Sequence, residues 1–320
     1  MDMSALGINS TEDLLTHFLR PVETLSDAEL EIRVRVLSKK LLPLKILVPI
    51  FLVVAFAGFF FGVIGLGFLQ GFLLAVLFLL VSGALFVRMY SLRMEVKRLL
   101  GHNAVRAALD KAFELSEYSP VRFIEWEQIR AAELIDRNWN SCSGSDFVQG
   151  KYRNVSFTLS DIRLMRHRHD ADGSQSKKTV FKGQWLIVDI NRNLTDSLCI
   201  RERKARKRGV KSDLETENAI FNGRFQVVAT DPHAASDIVT PHFMDYIVNR
   251  DAKAKTRVLM KFMGHRVHIA LDSKRDLFEA SEKKILSGMT VAQFREQIGQ
   301  EVRYITEMID ELLLNEYLFR

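Results

Sequence analysis

Two cysteines, Cys142 and Cys199, are too few for a disulfide framework, and both are expected to be reduced packing residues. No G-x-S-x-G elbow, glycine-rich phosphate loop, H-E-x-x-H helix or paired-cysteine metal motif occurs, so no catalytic, cofactor-binding or metal-ligating residue is assigned. Asp189, Asp231 and Asp245 are isolated carboxylates, which leaves acid/base chemistry open but unsupported. His167, His169 and Asp170 are of metal-ligating type, but Arg163, Arg166 and Arg168 stand among them and oppose a cation. His265 and His268 would point to opposite faces of a strand and so do not share one ion. The opening residues MDMSALGINS lack the basic segment and short apolar core of a cleavable signal, so the first membrane helix is expected to direct targeting.

Charge is scarce in one place and concentrated in another. The net charge is +6, and the tract RERKARKRGVK at 201–211 supplies seven basic residues against one acidic, which is +6 by itself. The rest of the chain is formally neutral. A neutral protein with one basic tract points to a local device rather than to general nucleic-acid affinity. Arg201, Arg203, Lys204, Arg206, Lys207, Arg208 and Lys211 are therefore the candidate contacts with an anionic surface, foremost lipid headgroups, where each cation contributes about 1 kcal/mol. A solvated loop that keeps the domain soluble is the plain alternative, and an acidic protein is another. The tract carries no aromatic residue for base stacking, which argues against nucleic acid.

The longest uncharged segment runs from Ile46 to Val87, with Gln70 and Ser82 its only polar side chains apart from backbone. As one helix it would be about 63 Å long, twice the roughly 30 Å of a bilayer core. Gly65, Gly67, Gln70 and Gly71 mark a bend, which leaves two spans near 46–64 and 68–87. The reading is a two-helix transmembrane hairpin. Arg33, Arg35, Lys39, Lys40 and Lys45 precede it, Arg88, Arg93, Lys97 and Arg98 follow it, and the bend has no charge. By the positive-inside rule both termini then face the cytoplasm. A hairpin that dips into one leaflet and a buried core hairpin of a soluble protein remain open. Gly58 and Gly62 in the first span and Gly83 in the second are the candidate helix-packing residues, since small residues let backbones approach in lipid.

Residues 1–44 read as two amphipathic helices parted by Pro21, the second opened by a Ser26–Glu29 capping box. Residues 89–140 read as a helical neck. Leu85, Met89, Leu92, Val96 and Leu99 repeat at 4, 3, 4, 3, a two-heptad seam that could pack on its own chain or join two copies into a homo-oligomer. The alanine-rich stretch 104–116 continues helical until Ser119-Pro120. From about Ser141 the period becomes that of strands: a hairpin turning at Arg153-Asn154, a polar loop at 167–178, and a long strand through Gly183. A strand at 223–231 follows, with a turn at Asp231-Pro232. Next come a helix capped by Thr240 with Pro241 at its first position, and a hairpin turning at Met263-Gly264-His265. A last helix starts at Thr290–Gln293 and buries Val291, Phe294, Ile298, Val302, Ile305, Ile309 and Leu312. Six to eight antiparallel strands closed by that helix make 141–320 an α+β domain.

The hairpin followed in order by VFKGQWLIVDIN, by FQVVATD before TPHFMDYI, and by VHIALDSKRDLFEAS before a closing helix resembles the bacterial family catalogued as domain of unknown function 3137, over about residues 30 to 318. The resemblance implies a bacterial plasma-membrane protein with a cytoplasmic domain, and it brings no catalytic residues. The expectation is an integral membrane protein without cofactor. It would serve as a non-enzymatic scaffold or regulatory module for an unknown protein partner, with a membrane-bound enzyme lacking a linear motif as the alternative.

Overall fold

The computed structural model describes residues 25–65, 68–136, 138–169, 175–202, 214–254, 256–278 and 289–319. The chain divides into two compact units. Among the described residues one holds 25–104 and 289–294, and the other 105–278 and 295–319.

The first unit is built on two long helices, α1 (Asp27–Gly65) and α2 (Phe68–Leu100). Helix α1 starts on the expected capping box: the Ser26 N–H donates to Glu29 Oε2 at 3.0 Å, and the Glu29 N–H donates to Ser26 Oγ at 3.4 Å. The Ser26 hydroxyl and N–H hold the exposed Glu29 carboxyl below its usual range. From there α1 runs unbroken through Pro43 and Pro49, so the amphipathic segment and the first apolar span are one helix. Both prolines lie on its exposed side, where the lost N–H bonds leave the packed side intact.

The Leu85–Leu99 seam is covered from within the chain. Leu30, Val34, Leu37, Leu41 and Leu44 of α1 recur at the same 4, 3, 4, 3 spacing and are buried, as are Met89, Val96 and Leu99 of α2. Both seams continue toward the bend, through Val48, Phe51 and Ala55 on α1 and through Ala75, Phe78 and Ser82 on α2. The Phe51 and Phe78 rings lie 5.8 Å apart, and Ser82 Oγ donates to the Val48 carbonyl at 3.3 Å. A seam period of 3.5 is that of an antiparallel coiled coil. A five-residue π-helical stretch, Gly101–Val105, ends α2. There the Asn103 amide accepts from the Leu25 N–H at 2.8 Å and donates to the Leu99 carbonyl at 3.0 Å, tying the approach to α1 to the end of α2.

The second unit opens with α3 (Arg106–Ala112), β1 (Glu114–Ser119) and α4 (Trp126–Ala132). The helix expected over 104–116 thus stops at Ala112. Beyond it the Leu115 and Tyr118 side chains turn inward from a strand that pairs with β2, and that pairing overrides the alanine-rich composition. Strands β2 (Ser141–Tyr152) and β3 (Val155–His169) form the expected hairpin, with Arg153 and Asn154 at φ 47° and 66° as a tight primed turn requires. Strand β4 (Gln175–Glu202) is 28 residues long and organises the sheet. Residues 175–188 pair with β3, residues from Gln184 onward pair with β6 (Arg257–Asp272), and the last residues lie between β6 and β5 (Phe225–Ala229), all antiparallel.

Strand β6 corrects a second expectation, because no hairpin turns at Gly264. That glycine has φ 57°, which the sequence offers equally to a turn and to a bulge. Here both halves of β6 stay paired with β4. The irregularity appears as two register shifts, at Asp189/Leu194 and Leu194/Leu198, where β4 carries extra residues. The polar loop expected at 167–178 is also shorter than read, since Arg166–His169 pair with Gln175–Lys178.

Helix α5 (Ala219–Arg224) precedes β5 in the chain, and α6 (Pro232–Ile238) and α7 (Pro241–Ala254) follow it. Asp231-Pro232 is the start of α6 rather than a free turn: Asp231 accepts from the His233 N–H at 2.8 Å with Pro232 in the first turn. Thr240 caps α7 as expected. The last helix, α8 (Val291–Leu313), has its Thr290–Gln293 capping box and buries all seven residues named for it. Within the second unit it is pinned by Arg153–Asp310 at 3.1 Å and by the Phe278 N–H donating to Glu301 at 2.8 Å. The short α9 (Glu316–Phe319) follows, and Asn191 donates to its Phe319 carbonyl at 2.7 Å. The main core packs Trp185, Phe181, Ile162 and Leu164 of the sheet against Ile129 and Ala132 of α4 and against Trp139. The α+β class therefore stands.

Candidate functional site

Three features carry physical chemistry that the fold alone does not require: the apolar tip of the α1–α2 hairpin, the basic tract, and a buried carboxyl cluster.

Both helices carry exposed apolar side chains on either side of the bend. Ile46, Ile50, Val53, Phe56 and Phe60 on α1, and Leu69, Leu73, Leu77, Leu80 and Val87 on α2, all point away from the seam. A soluble protein seldom exposes a contiguous apolar surface of this extent. The uncharged stretch of α1, residues 46–65, is about 30 Å long at 1.5 Å per residue, the thickness of a bilayer core. Two helices are thus long and apolar enough to cross a membrane. Of the three glycines expected to pack the spans, Gly58 and Gly83 make no close approach. Gly83 is exposed, off the seam, and a Cβ added to Gly58 or Gly83 would meet nothing within 4 Å. Close packing instead falls to Ala55, Ala75 and Ser82, all buried. Gly62 lies within α1, and Gly67 in the bend is outside the described residues.

Of the seven cations of the basic tract, Arg201 alone is described, and it is turned inward. Its Nε donates to Cys199 Sγ at 3.0 Å and its Nη2 to the Glu133 carbonyl at 2.7 Å, with the side chain buried. Pairing with Gln226 places Arg201 among the last residues of β4, a role that a count of charges does not reveal. Arg203, Lys204, Arg206, Lys207, Arg208 and Lys211 lie outside the described residues.

The carboxyl cluster was not read from the sequence, because Asp146 and Asp161 are fifteen positions apart and meet only through the β2–β3 pairing. Both are buried. The Tyr118 hydroxyl donates to Asp146 Oδ1 at 3.2 Å, and Ser145 donates to its Oδ2 at 2.7 Å. Gln184 donates to Asp161 Oδ1 at 3.0 Å and to the Arg275 carbonyl at 2.9 Å, while Asp161 Oδ2 is sealed without a hydrogen-bond partner. Burial, then the charge of Asp146, pushes the Asp161 carboxyl well above the carboxylate range, offset in part by the Leu277 N–H and Gln184. Burial and the same Asp146 raise the Tyr118 phenol.

A raised folded-state pKa favours folding at low pH, and that contribution is lost as pH rises through the folded value. Asp161→Asn, which mimics the protonated group, is expected to raise the unfolding midpoint at alkaline pH by the equivalent of about 1–3 kcal/mol, the cost of a buried unsatisfied group. The gain should vanish in acid, where the native carboxyl is itself protonated. Thermal melts of both proteins across the pH range measure the difference; a gain independent of pH would show that ionisation is not involved.

The other titratable candidates have structural roles. His268 is buried beside Trp185, whose indole N–H donates to its Nδ1 at 3.3 Å, and burial followed by the nearby Arg266 and Lys261 lowers it to about 4. His265 is exposed. Asp189 pairs with Arg266 at 3.3 Å, Asp231 caps α6, and Asp245 accepts from Asn218 at 3.0 Å. Cys142 is pushed up to about 11 by burial and then by Glu127, so at neutral pH it is a thiol and not a nucleophilic thiolate. Among the described residues no three His, Cys, Asp or Glu side chains converge as metal ligands.

Two cavities open on the second unit. One of about 210 Å³ is lined by Arg192, Thr195, Asp196, Asp231 and Tyr317, and the other, of about 330 Å³, by His242, Phe243, Glu311 and Leu314. Their polar groups are engaged locally. Arg192 lies over the Tyr317 ring at 3.8 Å, Thr195 donates to Asp196 at 2.9 Å, and His242 meets Glu311 at 3.1 Å.

Residues 179–314 match the model of a family described as a protein of unknown function, DUF3137, so the resemblance read from the sequence holds from β4 to the end of α8. A crystal structure of the mycobacterial trehalose monomycolate transport factor A, TtfA, is similar at a TM-score of 0.34 and 14% identity, covering 62% of this chain and 94% of that one. No curated protein matches the chain.

Proposed function

We propose that the chain is an integral membrane protein of the bacterial inner membrane, a non-enzymatic scaffold or regulatory module. Its hairpin crosses the bilayer and holds both termini in the cytoplasm, so that the α+β domain meets a protein partner at the inner leaflet. The observation that carries this reading is the apolar sheath over 46–60 and 69–87, outside a seam the two helices already share. Water would oppose such a sheath and lipid welcomes it. Basic residues flank the sheath on both sides and are missing from the bend, which supports the orientation. The cations of 203–211 add attraction to anionic headgroups. The engagement of the polar groups around both cavities in local bonds supports a binding module over an enzyme.

The test is retention of the intact chain in membranes through an alkaline carbonate wash. Retention in the pellet together with a lipid-phase marker is expected. Release into the supernatant would mean that the sheath is covered by protein rather than lipid.

A further inference from the structure

The segment read as a polar loop is a two-stranded basic ribbon. Beyond Met165, whose partner is Ser141, β3 is no longer paired with β2, and β4 meets β6 only from Gln184 onward. Residues 166–169 and 175–178 therefore pair only with each other within the sheet, Arg166 opposite Lys178, His167 opposite Lys177 and Arg168 opposite Ser176. Asn140 extends the frame by exchanging two hydrogen bonds with the His167 backbone, both 2.8 Å.

One pair sets a cation against a cation across this ribbon, Arg166 opposite Lys178. Like charges directly opposite one another destabilise a strand pair, so a sequence selected for stability alone would not keep them there. Lys182 is matched by Asp276 at 3.0 Å. Among the described residues, Arg163, Arg166, Arg168, Lys177 and Lys178 make no ion pair with a carboxylate. Across 163–182 the sequence holds six Lys and Arg against Asp170 and Asp172, a net +4. Arg168, Lys177 and Lys178 are exposed.

We propose that this ribbon is a headgroup-binding arm that rests on anionic phospholipid, a contact separate from the tract at 201–211. The inference rests on the membrane anchorage proposed above. Anchorage confines the ribbon near a surface of phosphates, and several unpaired cations on a stiff pair of strands complement that charge without further folding. No Phe, Tyr or Trp stands on 166–169 or 175–178 to stack a base, which disfavours single-stranded nucleic acid.

The full chain is reconstituted in vesicles of phosphatidylcholine alone or of phosphatidylcholine with phosphatidylglycerol, and backbone hydrogen exchange is followed separately for 163–182 and 203–211. With phosphatidylglycerol, exchange across the ribbon is expected to slow at least about fivefold, the contribution of a single cation near such a surface. High salt should reverse the effect, Arg166→Gln/Arg168→Gln/Lys177→Gln/Lys178→Gln should abolish it, and Arg166→Lys/Arg168→Lys should retain it. Unchanged exchange around Trp185 verifies that the variants are folded. Equal exchange in both lipids, with the chain floating with the vesicles, overturns the arm and leaves the anchorage standing. Failure to float overturns both. Slowing that appears only on addition of RNA, duplex DNA or an acidic polypeptide also overturns the arm.

Discussion

Replacing Val53 and Leu77 together by arginine is expected to release the chain from carbonate-washed membranes. The two residues sit near the middle of their apolar stretches, 65% and 57% exposed, and face away from the seam. An arginine at the centre of a membrane helix costs about 2.5–3.5 kcal/mol on insertion scales, so the pair costs roughly 5–7 kcal/mol. Because neither side chain packs inside the protein, the same double variant should keep its second unit folded in detergent, with an unchanged melting transition. That combination separates a lipid-facing surface from a protein-facing one. Loss of the folded second unit along with membrane release would mean instead that these residues pack against protein.

Gly183→Ala is expected to destabilise the second unit by about 3 kcal/mol or more, at the upper end of what overpacking costs. A Cβ at this position would lie 1.9 Å from the Leu271 carbonyl oxygen and 2.8 Å from the Ser273 nitrogen. Both are backbone atoms, so the clash cannot be relieved by turning a side chain. The strain falls where β4 passes between β3 and β6, next to Gln184 and the buried Asp161. Gly264→Ala meets no neighbour within 4 Å and pays only for its φ of 57°, which makes it the milder control. Chemical denaturation of both variants measures the difference, and equal losses would show that backbone conformation, not close approach, governs Gly183.

Local devices were legible in the sequence because each is written in three or four adjacent residues. The capping boxes at Ser26–Glu29 and Thr290–Gln293, the Thr240 cap and the Arg153-Asn154 turn all form as read. The buried stripe of α8 was legible for the same reason, since its period is fixed by the helix itself. What depended on a distant partner was not legible. The seam of α2 was visible, but its matching seam at Leu30–Leu44 lay in a segment read as separate from the membrane span. Gly264 was ambiguous between turn and bulge until β4 supplied pairing on both sides. Arg201 counted as surface charge until the Cys199 and Glu133 contacts placed it inside. The Asp146–Asp161 cluster has no linear signature at all.

Both apolar helices carry their charged flanks at the ends away from the bend. Reporters that are active on only one side of the bacterial inner membrane, fused in turn to each end of the full chain, therefore give the most direct reading of the hairpin. Both fusions should report the cytoplasmic side, with a third reporter inserted at the Gly65–Gly67 bend reporting the opposite side. Ends on different sides, or both facing outward, would be incompatible with two antiparallel spans inserted with their basic flanks inside.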